Sequence, residues 1–251
     1  MNINNFDPED LFLAIKTFYT ANELFNAQNY SEAIKLYTKT IELNPYEAMA
    51  YYNRGIAYEK LGKYELAITD FYKTIQINPN YTSAYFNIGD SSEELGQYEL
   101  AIKSYDMVIE FEPNNVDAYY NRGNSYRNLG QFKRAIEDYS KVIKLNPNLD
   151  VAYCNRGIAY ISLGQNKRAI KDFNKAIALN PNDADIYANR GIAYYELGQN
   201  ERAIKDFSKA IELNPNLAES YKNRGTIYQK LGNEAKAQAD FAKAKELGLK
   251  D

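Results

Sequence analysis

Residues 150–183 read DVAYCNRGIAYISLGQNKRAIKDFNKAIALNPND, and residues 184–217 read ADIYANRGIAYYELGQNERAIKDFSKAIELNPNL. The second stretch repeats the first, 34 residues on. The same interval separates Pro45, Pro79, Pro113, Pro147, Pro181 and Pro215, six of the seven prolines in the chain. Proline lacks an N–H and clashes with the preceding turn, so each of the six marks the end of a helix. A fixed period of this length signals one supersecondary unit stacked on copies of itself. Counting proline as the thirty-second position gives seven units: 14–47, 48–81, 82–115, 116–149, 150–183, 184–217 and 218–251. Residues 1–13 then read as an N-terminal extension leading into the first helix, and 14–251 as a single repeat domain.

Within a unit the constant positions carry the physics. Position 4 is tyrosine from Tyr51 to Tyr221, and position 8 is glycine from Gly55 to Gly225, with Ala21 in the first unit. Position 20 is alanine throughout, from Ala33 to Ala237, and position 24 is aromatic throughout, from Tyr37 to Phe241. Apolar residues at helical spacing lie on both sides of a recurring Leu-Gly, as in Leu61-Gly62, so each unit is two helices joined by a tight turn. Small residues at positions 8 and 20 let the two helices approach, and the rings at 4 and 24 fill the space beside them.

These small, aromatic and proline positions resemble those of the tetratricopeptide repeat, across essentially the whole chain. Tyrosine at position 4 departs from the usual tryptophan, one large ring for another. The resemblance implies an all-α fold, a right-handed superhelical solenoid of antiparallel helix pairs. First helices would line a concave face and second helices the convex one.

Position 7 is Arg54, Arg122, Arg156, Arg190 and Arg224, but Thr20 and Ile88 in units one and three. Position 23 is Asp70, Asp138, Asp172, Asp206 and Asp240, but Leu36 and Ser104 in those same two. The two are present together or absent together, which predicts a bidentate Arg–Asp bridge between the two helices of one unit.

Position 6 is Asn53, Asn87, Asn121, Asn155, Asn189 and Asn223. Asparagine is a poor helix-interior residue, so its recurrence needs a reason. By the family's geometry this position faces the groove, where each amide offers a donor and an acceptor to the backbone of an extended peptide. Such asparagine ladders occur in some related superhelices. Arginine and glycine have packing roles at their positions, and the sequence assigns none to the asparagine. Neighbouring groove positions would set specificity. In units two to four they give Tyr52, Phe86 and Tyr120, with Glu59, Asp90, Glu93, Glu94 and Asp117 around them, a setting for Lys or Arg. In units five and six they give Val151, Cys154, Ile158, Ile161, Ile192 and Tyr195, an apolar strip. The expected partner is a protein or peptide segment with basic and apolar parts. Chaperone-tail clamps of the family use Lys and Arg at groove positions 2, 5 and 6. Here position 2 is Met49, Ser83, Asp117, Val151, Asp185 and Glu219, and Lys222 is the only basic residue at position 5.

Composition excludes more than it names. The 251 residues include no histidine and one cysteine, Cys154, so a thiol–histidine nucleophile is absent and a reducing, cytoplasmic setting is expected. No phosphate loop, dinucleotide fingerprint or metal-ligand cluster occurs, and neither an enzyme nor a cofactor is expected. Residues 1–115 carry 8 Lys+Arg against 17 Asp+Glu, and residues 116–251 carry 22 against 16. The positive excess sits on second helices, at Arg134, Arg168, Arg202, Lys141, Lys171, Lys175, Lys205 and Lys209, and reads as solvated surface. With a sequence pI near 5.3, nucleic acid is not an expected partner, and no apolar run is long enough for a membrane span. At the ends, Asp7-Pro8-Glu9 reads as a helix start. Isoleucine at positions 21 and 28 gives way to Gln238 and Lys245 in the last unit, which reads as a polar cap. The apolar segment around Phe6, Leu11, Phe12 and Ile15 supports an alternative function, a structural subunit that self-assembles through its N-terminal helix. The expected state is a monomer or weak homo-oligomer.

Overall fold

Asparagine does part of the work credited to four of the six periodic prolines. At Asn44, Asn78, Asn146 and Asn214 the side-chain oxygen accepts the N–H two residues on, at 3.1–3.3 Å, folding the chain back around the proline. The same residues cap the helices, their own N–H reaching the last free carbonyls. The computed structural model describes residues 7–249. Among the described residues there are fourteen helices and no strand. The chain divides into two compact units, Met1–Leu129 and Gly130–Asp251.

The first unit holds α1 (Pro8–Asn26), α2 (Tyr30–Leu43), α3 (Ala48–Lys60), α4 (Tyr64–Ile77), α5 (Thr82–Glu94), α6 (Tyr98–Phe111) and α7 (Val116–Asn128). The second holds α8 (Phe132–Leu145), α9 (Asp150–Ser162), α10 (Asn166–Leu179), α11 (Ala184–Glu196), α12 (Asn200–Leu213), α13 (Ala218–Lys230) and α14 (Glu234–Glu246). Within each unit, helices pack on their sequence neighbours, the arrangement of an all-α solenoid of helix pairs. The odd-numbered helices also touch one another along the stack, whereas no even-numbered helix touches the next. In each compact unit the odd-numbered helices therefore line the inner side of a curve.

The pair at α9–α10 shows why two helices lie so close. Phe173 and Ala169 are fully buried, and a Cβ added to Gly157 would stand 2.7 Å from the Phe173 ring. Burying such a ring stabilises the fold by about 1.5–3 kcal/mol. Gly164, after the turn, sits at φ +69°, a left-handed conformation that favours glycine. In the first pair the corresponding residue is Gln28, which takes φ 60° without being glycine.

The Arg–Asp bridge forms as its co-occurrence predicts. Arg54 donates Nε and Nη2 to the two carboxylate oxygens of Asp70, both at 2.7 Å. Arg156–Asp172, Arg190–Asp206 and Arg224–Asp240 repeat this fork at 2.7–2.8 Å. Arg122 and Asp138 belong to different compact units. The third arm was not foreseen. Nη1 reaches back to position 25 of the preceding pair: Arg54 to Thr38, Arg156 to Ser140, Arg190 to Asn174 and Arg224 to Ser208, at 2.6–2.9 Å. Arg122 reaches Asp106 at the same place, at 2.6 Å. Each guanidinium also lies between two rings, as Arg156 lies 5.8 and 5.9 Å from Tyr153 and Tyr160. Where the third pair has Ile88 instead of arginine, position 25 before it is Tyr72.

Candidate binding groove

The six position-6 asparagines stand half-buried on the odd-numbered helices α3, α5, α7, α9, α11 and α13. In the first compact unit each has a structural task. Asn53 donates its amide to Asn22 Oδ1 at 3.0 Å, Asn87 to the Tyr52 hydroxyl at 3.4 Å, and Asn121 to Asp90 Oδ1 at 3.1 Å. The side chain therefore joins consecutive inner helices, a role that the sequence had not assigned it. One bond of this kind leaves most of an amide's hydrogen-bonding capacity unused.

The structure sorts the expected acidic residues, with Tyr52 and Phe86, into two niches. Glu59, Asp90, Glu93 and Glu94 converge with Asn121 and Tyr64 on a niche of about 350 Å³. Ser91 donates to Glu59 at 2.5 Å, Ser125 to Glu93 at 2.5 Å, and Tyr105 to Asp90 at 2.7 Å. Burial pushes the Glu59 carboxyl up to about 7, with the neighbouring Asp90 adding to the rise and Ser91 opposing it. Burial also raises Asp90 and Glu93, and it raises the Tyr105 phenol, which the two facing carboxylates reinforce, so that phenol stays a donor.

Tyr52, Phe86 and Asp117 meet with Asn87 in the other niche, of about 280 Å³. Their rings are already engaged: Tyr52 lies 4.7 Å from Tyr81 and Phe86 stands edge-on to Tyr105 at 5.7 Å. Tyr120 is half-buried on α7.

The apolar strip of the second compact unit serves packing to a large degree. Cys154, Ile158 and Ile161 lie partly buried against the core around Tyr153, Phe173 and Ile186. Ile192 and Tyr195 lie against Phe207 and Ile227. Val151 is exposed.

Exposed apolar surface is concentrated on α1 instead, at Leu11, Phe12, Leu13, Ile15 and Tyr19, with Met49 nearby at the start of α3. Phe6 lies outside the described residues. Tyr19 was not named from sequence, although it occupies position 6, where every other unit has asparagine. On the outer helices, Arg134, Arg168 and Arg202 donate to the glutamine three residues before them at 3.0–3.1 Å, closing the turn between paired helices. Among the described residues no helix is long and apolar enough to cross a membrane, and no cluster suited to a metal ion occurs.

Several sequence-family models match. Those described as tetratricopeptide repeat match residues 48–81, 116–149, 139–171 and 218–247. One described as TPR repeat matches 21–62, 94–130, 159–198 and 193–232. Hsp70-Hsp90 organizing protein 1 of Glycine max is 49% identical over 57 residues, which are 23% of this chain and 9% of that protein. This chain thus matches only a small part of that relative's length. The crystal structure of MamA protein superposes with a TM-score of 0.61 at 32% identity, covering 66% of this chain and 91% of that one. YrrB, a tetratricopeptide protein with an unusual peptide-binding site, superposes with a TM-score of 0.59 at 25% identity, covering 71% of this chain and 92% of that one.

Proposed function

Because the chain belongs to the tetratricopeptide repeat family, we propose that it is a non-enzymatic protein-interaction scaffold whose inner helices hold an extended segment of a partner protein. The observation that carries this reading is the asparagine at position 6 of every odd-numbered helix from α3 to α13, Asn53 to Asn223. An extended backbone presents N–H and C=O groups at regular intervals, and an amide side chain satisfies either kind. The peptide-binding site of YrrB supports the same use of the fold. The segment carries Lys or Arg where it passes Glu59, Asp90, Glu93 and Glu94. Ile158, Ile161, Ile192 and Tyr195, all partly exposed, form its apolar wall in the second compact unit. A chaperone C-terminal carboxylate is not the proposed ligand, because positions 2 and 6 hold no basic residue and position 5 only Lys222, where that recognition uses Lys and Arg.

An affinity pull-down with the wild type beside an Asn121→Ala/Asn155→Ala variant tests the reading. Partners retained equally by both proteins would overturn it; partners lost only from the variant are groove ligands.

The exposed side chains of α1 favour a second reading, self-assembly through that helix. A monomeric mass by sedimentation across a wide concentration range would remove it.

A further inference from the structure

The inner face of the first compact unit carries a niche of the same construction in the first and third pairs. Its walls are positions 2, 5 and 6 of an odd-numbered helix, positions 27, 31 and 34 that follow, and position 2 of the next odd-numbered helix. In the third pair polar side chains dominate these walls, Ser83, Asn87, Glu112, Asn115 and Asp117 beside Phe86 and Val108. In the second pair Tyr81, at position 34, packs on Tyr52 at position 5 and closes that corner from within. In the first pair position 34 is Glu47, which has no ring to insert, and the niche stands open at about 310 Å³. Leu11, Ile15, Phe18, Tyr19 and Met49 line it. Ile15, Tyr19 and Met49 are 50%, 63% and 49% exposed, large apolar side chains left facing solvent. The volume is at the small end of ligand pockets, roughly 300–1,000 Å³, and suits one side chain better than a small molecule.

We propose that this niche takes a single large apolar side chain, of the leucine or phenylalanine class, from an extended partner segment whose flanking residues are Lys or Arg. The proposal rests on the groove reading above and gives it a register. Charge complementarity identifies the flanks. Glu47 stands in the wall, and Glu112 with Asp117 and then Glu59, Asp90, Glu93 and Glu94 lie in the other niches of the same compact unit. Residues 1–115 hold 17 acidic against 8 basic side chains. Tyr19 replaces asparagine at position 6, so backbone hydrogen bonding gives way at this end to apolar anchoring.

The test selects a displayed library of random peptides on the wild-type chain. Enriched peptides are then titrated by fluorescence polarisation against wild type, Ile15→Ser/Met49→Ser, and Asn87→Ala/Asn121→Ala. The expected peptides share a Leu or Phe beside Lys or Arg and bind the Ile15→Ser/Met49→Ser protein about tenfold more weakly. Replacing the peptide's apolar residue by alanine weakens wild-type binding to the same degree and the serine variant no further. Peptides that ignore the serine substitutions but lose affinity for the asparagine variant overturn the niche and leave the groove reading standing. A selection that yields no binder overturns both. A wild-type dimer that the serine substitutions dissolve would make a second copy of the chain the occupant, and the proposal wrong. Because both substituted side chains are about half exposed, the circular dichroism melt should match wild type; if it shifts, Met49→Ser alone carries the test.

Discussion

Arg156 touches three helices at once, with Asp172 on α10, Ser140 on α8 and its own α9 between them. Its side chain is 18% exposed and that of Asp172 is 7%, so removing only the guanidinium strands a buried carboxylate. Arg156→Leu should destabilise the protein by about 3–5 kcal/mol, read from urea unfolding. In a double-mutant cycle with Asp172→Asn the two changes should couple strongly, and additive effects would contradict the fork. Coupling to Ser140→Ala should be smaller, about 1 kcal/mol. At the adjacent residue, Gly157→Ala would press a methyl group 2.7 Å from the Phe173 ring and should cost about 1–3 kcal/mol in the same assay. The fork was legible because both partners lie in one repeat and vanish together. Its third corner was not, because Thr38, Asp106, Ser140, Asn174 and Ser208 share only small size and polarity. The asparagine bonds were hidden for a similar reason: their acceptors are Asn22, Tyr52 and Asp90, three residue types in successive repeats.

At the scale of elements, α3 and α5 present carboxylates, Glu59, Asp90 and Glu93, that the fold holds in partial burial. Glu59 titrates near 7 in the folded chain against an ordinary value of 4.5, so ionising it is harder folded than unfolded. The sign follows: its contribution to stability is complete below about pH 4.5 and is lost as pH rises through about 7. Asp90 and Glu93 are shifted in the same direction. Urea midpoints measured from about pH 5 to 8 should therefore fall with rising pH more steeply in wild type than in Glu59→Gln. Equal slopes would contradict the burial of that carboxyl. Binding of a Lys- or Arg-bearing peptide should run the other way, tightening as Glu59 ionises. The acidic residues of this strip were named from sequence because groove positions are fixed by the repeat. Their burial was not legible, since it depends on Ser91, Ser125 and Tyr105 from neighbouring helices. The packing share of the apolar strip was hidden for a related reason. Residues at these positions also border neighbouring helices, and Ile158 and Ile161 pack partly buried against the core around Phe173 and Ile186.

For the whole molecule, packing runs from each helix to its neighbours along the chain within each compact unit, so stability should be close to a sum of pairs and seams. Deleting residues 218–251 removes α13, α14 and the Arg224–Ser208 bond. The shortened chain should melt at lower temperature and keep its helical signal per residue; loss of cooperative unfolding would contradict the additive picture. The period was plain in the prolines, yet the division after Leu129 has no mark, since the same Leu-Gly stands at Leu61-Gly62 and Leu163-Gly164. The arginine that reaches backward also bears on how such an array is inherited. Tandem genes grow by copying blocks, and a block cut at the prolines would separate each arginine from the small polar residue before it. A copy of the fifth repeat inserted behind the second would set Arg156 against Tyr72. The block that travels intact is out of phase with the prolines, running from position 25 of one pair to position 24 of the next.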